Sequence, residues 1–155
     1  MVYPFLLLAV VGEKTLPKGS VISLWRHELD ATDRVAPCVT SDGETGQPSI
    51  GLWTVMQITR KHVPLTAAQC GEFLDLTKKV MQARVKVILE KQDRGAYERA
   101  ARMLMGWIEA ARFAGRHDEA TALLERIGKD YSRRPAFCRE IALLQKAEGK
   151  TQNAE

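Results

Sequence analysis

The chain has 155 residues, of which 45% are hydrophobic and 27% charged, and its formal net charge is +4. This balance is typical of a folded globular domain and argues against disorder throughout the chain. At this length about two-thirds of the unfolded surface is buried on folding, so the core requires neither disulfides nor a structural metal.

In the first part of the chain, short apolar runs are separated by turn residues, which is typical of β structure. An apolar run covers residues 5–11, and residues 21–25 (VISLW) form a second short run after a Pro–Gly turn. Residues 50–59 (IGLWTVMQIT) place apolar side chains on one side at a period of two. We therefore predict three strands in a small antiparallel β module over residues 1–62. Residues 27–34 fit either a helical turn or a loop.

The opening residues MVYPFLLLAVVGEKT raise the question of a signal peptide or a membrane span. No basic residue precedes the apolar run, and no small-residue cleavage site follows it. The run is also much shorter than the about 20 residues with which a helix crosses a bilayer. We expect a buried strand here, in a cytoplasmic protein that does not associate with membranes.

The three cysteines bear on the compartment. Cys38, Cys70 and Cys138 are far apart and odd in number. A disulfide framework or a zinc site requires cysteines that are paired or clustered. We therefore expect free thiols in a reducing compartment.

After residue 62 the apolar residues recur at a helical period. Thr66 is suited to cap a helix, because its hydroxyl can accept a hydrogen bond from a first-turn amide, and Gly95 marks a helix end. Pro135 fits the first turn of a later helix, since it lacks an N–H. We predict a helical domain over residues 63–149 and a loose tail over residues 150–155. Its four antiparallel helices cover residues 66–92, 96–115, 117–131 and 134–148.

The whole chain is thus expected to be an α+β protein, with a four-helix region after the β module. The helix over residues 96–115 is apolar around most of its circumference, which places it at the centre of the bundle. Trp53 is expected at the seam between the β module and the helices. The predicted helical core consists of Phe73, Met81, Leu104, Trp107, Ile108, Ala120, Leu124, Ile127, Ile141 and Leu144.

Residues 107–127 (WIEAARFAGRHDEATALLERI) resemble the tetratricopeptide repeat. In that pattern an aromatic-bearing helix, a glycine at a tight turn and an Asp-Glu-Ala opening precede a second apolar helix. Gly115 permits the turn, and Ala120 lets the two helices touch. The match covers residues 97–137 as one repeat, whereas about three form a stable solenoid, and Pro135 comes about one turn late. The resemblance implies a TPR-like helical hairpin, with an ordinary αα-hairpin as the alternative.

Three features hint at catalysis or ion binding, and each lacks an essential part. Residues 10–15 (VVGEKT) lack the first glycine of a phosphate-binding loop. Residues 42–46 (DGETG) offer two acids where a calcium loop uses several at fixed positions. His27, His62 and His117 are isolated from one another and from the cysteines. We predict no enzyme activity and no catalytic, cofactor or metal site.

Positive charge is concentrated in one region, because residues 60–102 hold ten basic and five acidic residues. Such a cluster can bind phosphate groups, and the binding affinity then falls steeply as the salt concentration rises. An ordinary solvated face is the alternative, since Glu72, Asp75 and Glu90 share the same helix. The candidate nucleic-acid face consists of Lys78, Lys79, Lys86, Arg94, Arg99 and Arg102.

These observations favour a non-catalytic protein that binds another protein through its helical hairpins, as an adaptor, scaffold or inhibitor. The alternative is a nucleic-acid-associated small subunit that contacts the phosphate backbone through the basic helix over residues 78–102. Homo-oligomers remain open, as does a place within a longer helical-repeat protein.

Overall fold

A computed structural model describes residues 3–12, 20–32, 34–35 and 50–152. Within these ranges almost all of the chain is helical, and a 3₁₀ turn covers Arg94–Ala96. The described strands, β1 (Arg34–Val35) and β2 (Ile50–Gly51), form a short antiparallel pair. The helices are α1 (Tyr3–Val11), α2 (Val21–Thr32), α3 (Leu52–His62), α4 (Ala67–Glu90), α5 (Tyr97–Phe113), α6 (His117–Asp130) and α7 (Pro135–Gln152).

The predicted α+β fold is wrong, because the described ranges are all-α apart from the two-residue strands β1 and β2. The first two predicted strands lie in α1 and α2, and the third lies in α3 apart from Ile50–Gly51, which form β2. α2 also includes the open stretch as far as Thr32. Apolar residues recur at an apparent period of two over residues 50–59, although residues 52–59 are helical. Trp53 and Met56 lie inward at helical spacing, whereas Ile58, which the strand pattern placed beside Met56, is 48% exposed. Apolar runs this short do not distinguish a buried strand from a buried helix.

The four helices predicted after residue 62 are present, with small shifts at their ends. Thr66 caps α4 as expected, because its hydroxyl accepts from the Gln69 N–H at 3.2 Å while the Gln69 side chain accepts from the Thr66 N–H at 2.9 Å. α4 ends at Glu90, two residues before the predicted end at residue 92, where Gln92 adopts a positive φ of 54°. α7 continues beyond residue 148, the predicted end of the last helix, to Gln152, and residues 153–155 of the predicted tail lie outside the described ranges.

α5 lies at the centre of the molecule, as its apolar circumference predicts, and packs against α1, α2, α4, α6 and α7. Of the ten predicted core residues, Phe73, Leu124 and Leu144 are half-buried against the core, and the others are buried. Leu7, Leu8 and Ile22 of the first two helices belong to the same apolar core. The boundary proposed at residue 62 stays a prediction.

A buried carboxylate fixes the start of α2 on α5. Glu109 of α5 is 3% exposed, and its two oxygens accept from the N–H groups of Val21 at 2.8 Å and Ile22 at 2.9 Å. The Ser20 hydroxyl accepts from the Ser23 N–H at 3.2 Å. Three first-turn amides of α2 are thereby satisfied, and the negative charge complements the helix dipole.

Two arginines bind the C-terminal end of α1. Arg26 donates to the Gly12 carbonyl and Arg60 donates to the Ala9 carbonyl. Gly12 ends the helix with a φ of +64°, a conformation that glycine adopts readily. The Arg26 guanidinium also lies 4.4 Å from the centre of the Trp53 ring, and burial lowers the pKa of Arg26. Cationic groups at a helix C-terminus stabilise its free carbonyls.

Candidate functional site

The outer face of α4 carries apolar side chains that the core does not cover. Leu74, Met81 and Val85 lie on the buried side of the helix. On the other side, Leu76 is 52% exposed and Val80 48% exposed. Val87 is 40% exposed and Ala83 is exposed between them. Residues at this spacing line up along a helix, and we call Leu76, Val80, Ala83 and Val87 the α4 stripe.

Basic side chains border the α4 stripe on both edges. Lys79 and Lys86 lie along one edge, and Arg84 and Lys91 along the other, each pair separated by seven residues and therefore by two turns. Lys86 forms an exposed ion pair with Glu90 at 3.7 Å. Within the described part of the chain, Lys79, Arg84 and Lys91 have no ion-pair partner. The face therefore combines an apolar centre with net positive edges.

A cleft of about 270 Å³ opens between α1, α3 and α4 at one end of the stripe. Its wall is mostly apolar, and Val63 at its edge is 63% exposed. Phe73 lines the cleft and lies one turn before Leu76, so the cleft and the α4 stripe form one continuous apolar surface. Lining residues include Leu8, Trp53, Met56, Val63, Leu65 and Phe73.

The six residues of the predicted nucleic-acid face are not brought together on one surface. Lys79 and Lys86 lie on the outer face of α4, whereas Arg94 and Arg99 are exposed at the 3₁₀ turn and on α5. Arg102 donates to Glu28 of α2 at 3.0 Å, and its guanidinium lies 3.1 Å from Glu98.

Lys78, the remaining residue of the predicted nucleic-acid face, makes its contacts between the helices. Its ammonium lies 2.5 Å from Glu119 of α6 and 5.2 Å from the centre of the Trp107 ring. The Trp107 indole N–H donates to the Leu74 carbonyl at 2.9 Å. These contacts join α4 to α5 and α6, so Lys78 supports the packing of the helices rather than an open basic face.

The α5–α6 hairpin has the turn that the sequence predicts, since Gly115 adopts a φ of +82°. Next to it, Arg116 lies 2.6 Å from Asp75 of α4 and 3.3 Å from Glu119. The hydrogen bond from Arg116 lowers the pKa of Asp75, and the same bond raises the pKa of Arg116. This cluster fixes the hairpin to α4.

Among the residues that the structure describes, the remaining candidate positions do not converge on a reactive site. His27, His62 and His117 are each exposed. The described cysteines Cys70 and Cys138 are free and half-buried. Among the described residues, no three His, Cys, Asp or Glu side chains are grouped so that they could hold a metal. Cys38 and residues 42–46 lie outside the described ranges.

None of the described helices is both long and apolar enough to cross a bilayer. The three tryptophans are buried, and Trp53 lies on α3 beside the cleft rather than on a strand at a β–α seam.

No protein-family model, curated protein or solved structure matches the chain. The tetratricopeptide resemblance therefore stays a prediction.

The α4 stripe was missed at the level of sequence, although a signal for it exists. Val80 and Met81 are adjacent in the apolar period of the sequence, but only Met81 is buried. Leu76 and Val87 lie outside the period that Leu74 and Val85 define. α4 thus has more apolar residues than one buried face requires.

Proposed function

We propose that the protein is a non-catalytic interaction module that binds another protein through the α4 stripe and the adjoining cleft. The observation that supports this proposal is the row of exposed leucine and valine side chains between basic edges. Fully burying such a side chain contributes about 1.5–3 kcal/mol, and partial exposure gives up part of that stabilisation. Contiguous exposed apolar surface of this kind is typical of interaction sites.

The α5–α6 hairpin supports the same proposal in a different way. Arg116 and Lys78 connect it to α4, on the side of α4 away from the stripe. A TPR-like hairpin at this place would act as a rigid support for the exposed helix, and its faces would be available for an adaptor or inhibitor role. Rigid supports lower the ordering cost of binding.

Binding to nucleic acid remains a second candidate because of Lys79, Arg84 and Lys91, which have no ion-pair partner among the described residues. Cations on two edges of a helix can contact phosphates. The apolar centre of the same face argues against this function, since Leu76 and Val80 offer nothing to a phosphate backbone. We also propose a cytoplasmic location, which the free thiols of Cys70 and Cys138 support.

A pull-down from native lysate with three forms of the full chain tests the proposal. The forms are the unmodified chain, Val80→Glu in the stripe and Leu143→Glu on α7. Leu143 is a matched control because it is 53% exposed and also apolar. We expect one protein partner to be recovered by the unmodified chain and by Leu143→Glu, and to be reduced at least about tenfold by Val80→Glu.

Each recovery is repeated with nuclease and at high salt. A partner that persists under both treatments supports protein binding, because its contact with the stripe is mainly apolar. Recovery that nuclease removes would transfer the proposal to nucleic acid. Equal recovery by Val80→Glu and Leu143→Glu would contradict the assignment of the function to α4.

A further inference from the structure

We infer that the partner element bound by α4 is an acidic amphipathic helix with one bulky apolar residue that enters the cleft. This inference rests on the proposed function and adds the chemistry of the partner. Three observations support it: the straight line of the α4 stripe, the sign of the charges beside it, and the position of the cleft.

The shape of the surface suits a helix. From Phe73 to Val87 the apolar line extends about 21 Å, because an α-helix rises 1.5 Å per residue. The apolar positions Phe73, Leu76, Val80, Ala83 and Val87 alternate in spacing between three and four residues. This is the spacing with which one helix receives the side chains of another. A strand would find no open backbone edge here, since the amides within α4 are bonded inside the helix.

The charges beside the stripe select an acidic partner. Lys79 and Lys86 on one edge, and Arg84 and Lys91 on the other, would face the flanking positions of a bound helix. Glutamate or aspartate at those positions gives attractive pairs, whereas lysine or arginine gives repulsion. Two acids lie beside the same stripe, since Glu72 is exposed two turns before Lys79 and Glu90 is paired with Lys86. The four basic side chains outnumber these two acids, so the surface keeps a net positive charge.

The same charges disfavour a second copy of this chain as the occupant. In a parallel pair of α4 helices, Lys79 would lie opposite the Arg84 position of the other copy, and Lys86 opposite Lys91. Both contacts place like charges together. The apolar stripe alone would permit a dimer, but its edges oppose one.

The cleft supplies a place for an anchor residue. It adjoins the stripe through Phe73 and is lined mostly by apolar side chains. A volume of about 270 Å³ accommodates one large side chain such as tryptophan or phenylalanine. Side chains of this type, seated in a pocket beside a groove, carry much of the binding energy in helix recognition.

Synthetic helical peptides test the inference against the full chain. Two stapled 14-residue peptides share one apolar face and a tryptophan anchor, and they have either glutamate or lysine at the flanking positions. A third, acidic peptide has alanine in place of the anchor. Fluorescence anisotropy measures each affinity. We expect the acidic peptide to bind at least about tenfold more tightly than the basic one, and the loss of the anchor to weaken it by a similar factor.

Variants of the chain locate the interaction. The double variant Lys79→Glu/Lys86→Glu is expected to reverse the preference between acidic and basic peptides. Lys129→Glu/Lys146→Glu makes the same charge change at exposed positions on α6 and α7, and it should preserve the preference. Val63→Glu at the cleft edge should reduce the benefit of the tryptophan anchor more than it affects the alanine peptide.

The possible outcomes separate this inference from the proposed function. If Val80→Glu removes a partner in the pull-down while neither peptide binds, the proposed function stands and the acidic helix is wrong. Equal binding of the two flanked peptides also overturns the inference. Tighter binding of duplex DNA or anionic vesicles at the same face overturns it too, as does a dimer in sedimentation that Val80→Glu dissociates. Selective, anchor-dependent binding of the acidic peptide supports it.

Discussion

The helices before and after residue 62 are held in place in different ways. α4 and α7 contact α5 through periodic apolar side chains, together with the indole bond of Trp107. The start of α2 and the end of α1 depend in addition on side-chain hydrogen bonds, which Glu109 accepts and Arg26 and Arg60 donate. A periodic apolar face can be recognised within the sequence of one segment. A hydrogen-bond partner about 90 residues away cannot be recognised in that way. The two regions therefore differ in how much of their structure the local sequence predicts.

The largest expected effect tests the polar support of the N-terminal helices. Glu109→Ala leaves the N–H groups of Val21 and Ile22 without their carboxylate, in a buried place. We expect the free energy of unfolding to fall by about 3 kcal/mol, because a hydrogen bond to a charged group contributes about 1.5–3 kcal/mol and an unsatisfied buried donor is costly. Denaturant unfolding followed by circular dichroism measures the change.

Glu125→Ala on the exposed side of α6 is the matched control and should change stability little. Glu109→Gln retains one acceptor oxygen. Its loss of stability should therefore lie between the losses caused by Glu109→Ala and by Glu125→Ala. Hydrogen exchange then locates the effect, since the amides of Val21 and Ile22 should lose protection before those of α4. Equal stability of Glu109→Ala and Glu125→Ala would show that the carboxylate does not support α2.

The second prediction compares two glycines within helices, of which only Gly106 lies at a contact with the N-terminal helices. Gly106 of α5 faces Trp25 of α2, and a Cβ placed there would lie 2.4 Å from the indole ring. Gly128 of α6 has open space at the corresponding position. Alanine is the better helix former by about 1 kcal/mol. We expect Gly128→Ala to stabilise by roughly 0.5–1 kcal/mol, and Gly106→Ala to destabilise by about 2 kcal/mol because overpacking outweighs propensity.

Thermal and denaturant unfolding of both variants provide the measurement. Trp25→Phe makes room for the added methyl group. Gly106→Ala should therefore cost less stability in the Trp25→Phe background than in the unmodified chain. If both glycine variants are stabilised, α2 does not pack closely on α5 at this point.

The helical region was predictable because its signals are local and repeated. Thr66, Gly115 and Pro135 each act through chemistry within a few residues, and the structure places each as expected. The 24 residues of α4 cover enough turns to show a period. The nine residues of α1 are apolar throughout and show none, so only their end at Gly12 could be identified.

The candidate site was predictable only in part, for a similar reason. Lys79 and Lys86 were identified as an exposed basic surface, and they do border the α4 stripe. Charge alone did not distinguish them from Lys78, which is turned toward Glu119 and Trp107. The cleft also escaped prediction, because α3 was assigned as a strand and Trp53 was therefore placed on the wrong surface.

The smallest expected effect concerns the ion pair that fixes the α5–α6 hairpin to α4. The hydrogen bond from Arg116 lowers the pKa of Asp75 below its ordinary value of 3.8. The charged carboxylate is thus favoured in the folded state, so its stabilisation is present above about pH 4 and is lost as the pH falls through the lowered pKa. Both side chains are partly exposed, which limits the contribution to about 0.5 kcal/mol. Asp75→Asn should remove it.

Unfolding of the unmodified chain and of Asp75→Asn between pH 7 and pH 3 checks this prediction. The difference in stability should be constant at neutral pH and should shrink below about pH 4, where Asp75 itself becomes protonated. Asp130→Asn is the control, because Asp130 has no ion pair among the described residues and lies at the end of α6, where its charge opposes the helix dipole. A pH-independent difference for Asp75→Asn would assign its effect to packing. The hairpin would then be held to α4 by Trp107 and the apolar core, and α4 would keep its orientation without Arg116.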